Sequence, residues 1–138
     1  MRVDRLGHVN IRTPAFDETI AFYEAALGLR AGPAVSVNIR LQNVWLYDEA
    51  GDAIIHVNGP MPGEIIHAEG ATSRFDHFAL DCSGLESCIA RLEEQGIAFE
   101  RLRIDVRGMT QLNITDPNGL KVELTFSDRN EGPPAPAR

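Results

Sequence analysis

A chain of 138 residues and 15.2 kDa, 43% hydrophobic and 24% charged, has the composition of an ordinary globular protein and the length for a packed core. Its formal net charge of −7 argues against a nucleic-acid partner, which needs clustered Lys and Arg to displace counterions from phosphates. No run approaches the ~18 apolar residues of a membrane span, the N-terminal MRVDRLGHVN carries charges where a secretory leader needs an apolar stretch, and Cys82 and Cys88 would close only a short loop, so a cytoplasmic protein with reduced thiols is expected.

The first predicted strand, Arg5 to Arg12, alternates Val9 and Ile11 with His8 and Asn10, the period of a half-buried strand. A helix follows: Pro14 stands near its start, Phe16, Ile20, Tyr23 and Leu27 recur at helical spacing, and Gly28 suits its C-cap. Strands are then predicted around Val37 to Leu41, Val44 to Tyr47 and Ala53 to Asn58, which makes β, α, β, β, β.

The same order recurs from Phe75. FDHFALDC again sets a histidine, His77, among alternating apolar residues, and Leu85, Ile89 and Leu92 form a helical stripe ended by Gly96. Strands are predicted at Phe99 to Ile104, Gln111 to Thr115 and Leu120 to Phe126, with Asp116 to Gly119 (DPNG) as the turn of the last hairpin. His8 and His77 stand 69 positions apart, His56 and Glu123 67 apart, which is the mark of an internal duplication. The Pro-, Gly- and Ala-rich residues 128–138 read as a flexible tail.

Strand register separates an apolar face from a polar one. Val9, Ile11, Ile55, Val57, Phe78, Leu80, Val122 and Leu124 are expected under the helices. His8, Asn10, His56, Asn58, His77, Lys121 and Glu123 then share the opposite face, extended by Gln111 and Asn113. Two neutral imidazoles and a carboxylate are a suitable ligand set for a divalent ion with further positions open, so His8, His77 and Glu123 are the expected metal ligands. Fe(II), Mn(II), Ni(II) and Zn(II) all suit such a set, and ligand identity alone does not choose among them. Trp45 and Tyr47 alternate with Val44 and Leu46, so either could stack on a planar substrate or simply pack.

Three segments together resemble the vicinal oxygen chelate superfamily, which includes glyoxalases, extradiol dioxygenases, fosfomycin-resistance proteins and bleomycin-binding proteins. They are LGHVNIRTPAFDETIAFYEAALGLR (Leu6 to Arg30), FDHFAL (Phe75 to Leu80) and DPNGLKVEL (Asp116 to Leu124), and VWLYDEAGDAIIHV (Val44 to Val57) is similar to small bacterial members. The resemblance covers about residues 3 to 127. It implies an α+β fold of two βαβββ modules, about 3–60 and 74–127 within a single domain 1–127, whose mixed sheets curve into a half-barrel cleft with helices on the outer face.

By the same resemblance the family's two histidines fall on His8 and His77 and its terminal glutamate on Glu123. Its fourth site position falls on His56, where glyoxalase-type members usually hold Glu or Gln. His56 and Glu123 are thus the candidate catalytic residues, with His56 either a fourth ligand, which suits isomerase or lyase chemistry, or a residue beside the ion, which suits ring-cleaving dioxygenation. Asn10, Trp45, Tyr47, Asn58, Gln111 and Asn113 are the candidate substrate-binding residues. The expected function is a metal-dependent enzyme, extradiol-dioxygenase-like, acting on a small substrate with vicinal oxygens, for which Fe(II) or Mn(II) is favoured over Ni(II) or Zn(II); a glyoxalase-like lyase or isomerase and a metal-free small-molecule-binding protein of the bleomycin-resistance type are the alternatives. A homodimer is expected on the family's precedent.

Overall fold

The computed structural model describes residues 1, 6–33, 42–65 and 76–129, and divides the chain into two compact units, Met1–Ala71 and Thr72–Arg138. Among the described residues no helix is long and apolar enough to cross a membrane.

In unit 1, β1 (Val9–Arg12) leads into α1 (Phe16–Leu27), followed by β2 (Arg30–Gly32), β3 (Asn43–Tyr47) and β4 (Ala53–Asn58). The helix forms because Phe16, Thr19, Tyr23 and Ala26 recur on one buried stripe and Asp17 and Glu18 complement the positive end of its dipole. It stops at Gly28, whose left-handed φ of 66° lets its N–H reach the carbonyl of Glu24. The sheet order is β1-β4-β3-β2, with β1 parallel to β4 and the other pairs antiparallel. Ile11, Leu46, Ile55 and Val57 are buried with Phe16, Tyr23 and Ala26 of the helix, as period-two alternation anticipates.

Unit 2 repeats this plan: β5 (His77–Cys82), α2 (Leu85–Glu94), β6 (Phe99–Ile104), a 3₁₀ turn, β7 (Met109–Thr115) and β8 (Lys121–Ser127), in the order β5-β8-β7-β6. β5 runs parallel to β8 and the remaining pairs are antiparallel. Phe78, Leu112, Ile114, Val122, Leu124 and Phe126 form its buried face, with Leu92 of α2. The DPNG turn closes the β7–β8 hairpin: the buried Asp116 carboxylate accepts from the backbone N–H groups of Asn118 and Leu120, which replaces solvent as partner for the turn.

The duplication is confirmed by register. In unit 1 Asn10 lies across from His56, and in unit 2 Ala79 lies across from Glu123. Asn10 and Ala79 each stand two residues after a histidine, so His8 corresponds to His77 and His56 to Glu123.

Several local expectations are revised. β2 forms at Arg30–Gly32, a three-residue edge strand with no hydrophobic alternation to announce it, while the strand expected at Val37 to Leu41 lies outside the described residues. β1 begins at Val9, so His8 precedes the strand instead of lying within it. Asp128, the first residue of the expected tail, is bonded to unit 2: its carboxylate takes two 2.7 Å hydrogen bonds from the Arg103 guanidinium, and its N–H donates to the Gly108 carbonyl. Residues 130–138 lie outside the described residues.

Candidate metal centre

In unit 1, β4 carries His56 on the same side of the sheet as Trp45 of β3, its cross-strand partner. The rings stack with centroids 4.3 Å apart and planes within 6° of parallel, and His8 packs edge-on against Trp45 at 4.7 Å. The His8 and His56 rings are 6.3 Å apart. Trp45 is therefore the wall of the histidine pair, and its buried Nε1–H has no hydrogen-bond partner among the described residues.

Both ring nitrogens of His56 are engaged. Its Nε2 lies 2.8 Å from the Asn43 amide oxygen and its Nδ1 2.7 Å from the Asn10 amide nitrogen, with the Asn58 amide nitrogen farther off at 3.5 Å. Asn43 offers only an acceptor there and Asn10 a donor, so these partners assign His56 the neutral form with the proton on Nε2 and the lone pair on Nδ1. Partial burial, and secondarily the charge of His8, lowers its pKa, which keeps the ring neutral.

In unit 2, Glu123 of β8 is half-buried, and its Oε1 accepts from Gln111 Nε2 at 2.7 Å and from Thr125 Oγ1 at 3.2 Å. Its other oxygen, Oε2, faces His77 Nε2 at 4.0 Å. His77 Nδ1 donates to Asp76 Oδ2 at 2.7 Å, which leaves Nε2 as the nitrogen with a free lone pair when the ring is neutral. Asn113 of β7 lies directly across the ladder from Glu123.

These donors suit a divalent ion. Two ligands at ~2.1 Å from one ion in a 90–110° arrangement sit about 3–3.4 Å apart, so the 4.0 Å gap needs to narrow by about 0.6–1 Å. Each donor's second atom is already occupied by a neighbour, the arrangement that orients metal ligands. Among the described residues no three His, Cys, Asp or Glu side chains form a group that could hold a metal ion; His8 stands near His56, and His77 near Glu123, each pair within its own unit.

The other expected residues divide. Asn10 and Asn58 attend His56, and Gln111 holds Glu123. Tyr47 instead donates to the Pro33 carbonyl at 2.8 Å and lines a shallow hollow with Arg30, Ala31, Gly32 and Gly51. Asn43, Asp76 and Thr125 escaped notice in the sequence. The signal for Asn43 was there: it precedes Trp45 by two and so shares its face.

A family model for the Glyoxalase/Bleomycin resistance protein/Dioxygenase superfamily matches residues 5–124. The chain is 25% identical over 131 residues to Glyoxylase I 4 of Arabidopsis thaliana, an alignment spanning 93% of this chain and 74% of that protein. Among solved structures, a glyoxylase/bleomycin resistance protein/dioxygenase domain from Frankia sp. EAN1pec superposes with a TM-score of 0.68 at 14% identity, over 91% of this chain and 93% of that one. Lactoylglutathione lyase from Agrobacterium tumefaciens gives 0.64 at 18% identity, over 91% and 96%. The duplicated modules, the histidine and glutamate positions and this match agree: the chain belongs to the Glyoxalase/Bleomycin resistance protein/Dioxygenase superfamily.

Proposed function

We propose that the protein is a metal-dependent enzyme that cleaves the ring of a small aromatic diol, with His8, His77 and Glu123 as ligands and His56 as a general base. The observation that carries this reading is the engagement of both His56 nitrogens by asparagine side chains. Ligation by His56 would break one of these bonds. Three protein ligands leave about three octahedral positions, the number that a bidentate diol and dioxygen together need. A divalent ion held there would supply Lewis-acid activation and, as Fe(II) or Mn(II), redox chemistry.

The chain's own groups do the rest. His56 Nδ1 carries the lone pair, and a substrate hydroxyl that displaces the Asn10 amide can pass its proton there. Asn43 keeps Nε2 protonated, and the Trp45 face prevents the ring from turning. Gln111 and Thr125 hold Glu123 Oε1, which leaves Oε2 for the ion. The glyoxalase-like lyase or isomerase reading is favoured by the names of the relatives, and in it His56 takes the place of a carboxylate base. A cytoplasmic homodimer is part of the proposal, resting on sequence and family.

The test is elemental analysis of untagged protein purified anaerobically, beside a His8→Ala, Glu123→Ala double variant. About one iron or manganese per chain, lost in the variant, followed by oxygen uptake with catechols, is the expected result. Nickel or zinc with turnover of hemithioacetals would move the assignment to the lyase, and no metal after reconstitution would leave a binding protein.

A further inference from the structure

Lys121 is the chain's only lysine, and it sits beside the His77–Glu123 pair. It opens β8 directly across the parallel ladder from His77, and its Nζ lies 3.4 Å from Asp76 Oδ2, the same oxygen that accepts from His77 Nδ1 at 2.7 Å. Asp76 immediately precedes β5, so strand alternation does not commit its side chain to the face opposite His77. A cation, a carboxylate and an imidazole thus stand in sequence, and the imidazole's far nitrogen faces the Glu123 carboxylate.

We infer that Asp76 is a positioning residue: it fixes His77 in the Nδ1–H tautomer, so that the Nε2 lone pair is directed toward Glu123, and Lys121 holds Asp76 in place. The proposed metal reading supplies the purpose, but the tautomer itself stands on the geometry of unit 2 alone. Neutral imidazole free in water favours the opposite tautomer, with the proton on Nε2, which would cover the donor a metal needs. An ionised carboxylate at Nδ1 reverses that preference, because it can only accept. An exposed aspartate is ionised at neutral pH, and the Lys121 ammonium stands beside this one. Asp76 is exposed, so it has no packing role whose loss would imitate the effect. A carboxylate behind a ligand histidine also raises the basicity of the ligand nitrogen.

Two measurements on the full chain test this. Long-range ¹H–¹⁵N correlation spectra of metal-free protein, at a pH where the imidazoles are neutral, report each histidine's tautomer, and a His77→Gln variant assigns the signal among the four histidines. The parent and Asp76→Asn, which keeps an acceptor oxygen, are expected to show Nδ1–H at His77, and Asp76→Ala to revert to Nε2–H. Zinc titration against a chromophoric chelator is expected to show roughly ten- to a hundredfold weaker binding in Asp76→Ala, partial recovery in Asp76→Asn, a smaller loss in Lys121→Met and unchanged thermal midpoints. An unchanged tautomer in Asp76→Ala overturns the inference, and so does a changed tautomer with zinc affinity within about twofold of the parent. If the parent binds no zinc, the metal reading falls, and the spectra alone decide whether Asp76 sets the tautomer.

Discussion

Replacing Trp45 by Phe should leave stability nearly unchanged, although core tryptophans are among the costliest residues to truncate. Trp45 is 8% exposed, and its Nε1–H is buried without a partner among the described residues. The smaller ring buries about 40 Å² less apolar surface, a loss of about 1 kcal/mol. A residual void of about 40 Å³ adds about 1 kcal/mol. Against this, the substitution removes an unsatisfied donor whose desolvation costs about 1–3 kcal/mol. The terms offset to within about 1 kcal/mol, whereas Trp45→Ala keeps none of the ring that stacks on His56 and should cost about 3–5 kcal/mol. Urea unfolding followed by far-UV circular dichroism is the suitable assay, because Trp45 is the chain's single tryptophan and fluorescence disappears with it. A Trp45→Phe loss above about 3 kcal/mol would refute the reasoning, since it would mean that the indole N–H makes a favourable bond.

Gly32→Ala should destabilise unit 1 by about 1–3 kcal/mol in the same assay, because the added Cβ would stand 2.7 Å from the Tyr47 ring and push its hydroxyl off the Pro33 carbonyl. Both thiols should alkylate slowly in native protein. Burial pushes Cys82 up to about 12 and raises Cys88 as well, so iodoacetamide with mass readout should modify both rapidly only in urea. The Arg103 hydrogen bonds hold Asp128 below its usual range, so its contribution to stability is present above the unfolded aspartate pKa and is lost as pH falls through the lower folded value. The thermal midpoint of Asp128→Asn should accordingly lie below the parent's at neutral pH and converge with it in strong acid; a constant gap across that range would contradict the assignment.

Much of the architecture was legible because it is written in local periods. The alternation of Val9 and Ile11, Ile55 and Val57, and Val122 and Leu124 named the strands and their buried side, the Phe16 to Leu27 stripe named α1, and DPNG named the final hairpin. Two closely similar offsets, 69 and 67 residues, then exposed the duplication, which the Asn10–His56 and Ala79–Glu123 registers bear out. β2 was not legible: an edge strand of Arg30, Ala31 and Gly32 has too few residues for a period and owes its form to the backbone of β3 beside it.

The sequence by itself determined which side chains face together, since a strand's period of two fixes that as soon as one apolar face is known. It could not say which atom of each side chain is free. Whether His56 has a nitrogen to spare depends on Asn43 and Asn10, from two other strands, and which nitrogen of His77 is open depends on Asp76. Hydrogen-bond partners are chosen by ångström-scale approach between segments distant in the chain, or by a rotamer set after the strand is placed. Tertiary structure therefore decided the partners of both His56 nitrogens, the bond between His77 and Asp76 and the wall that Trp45 makes.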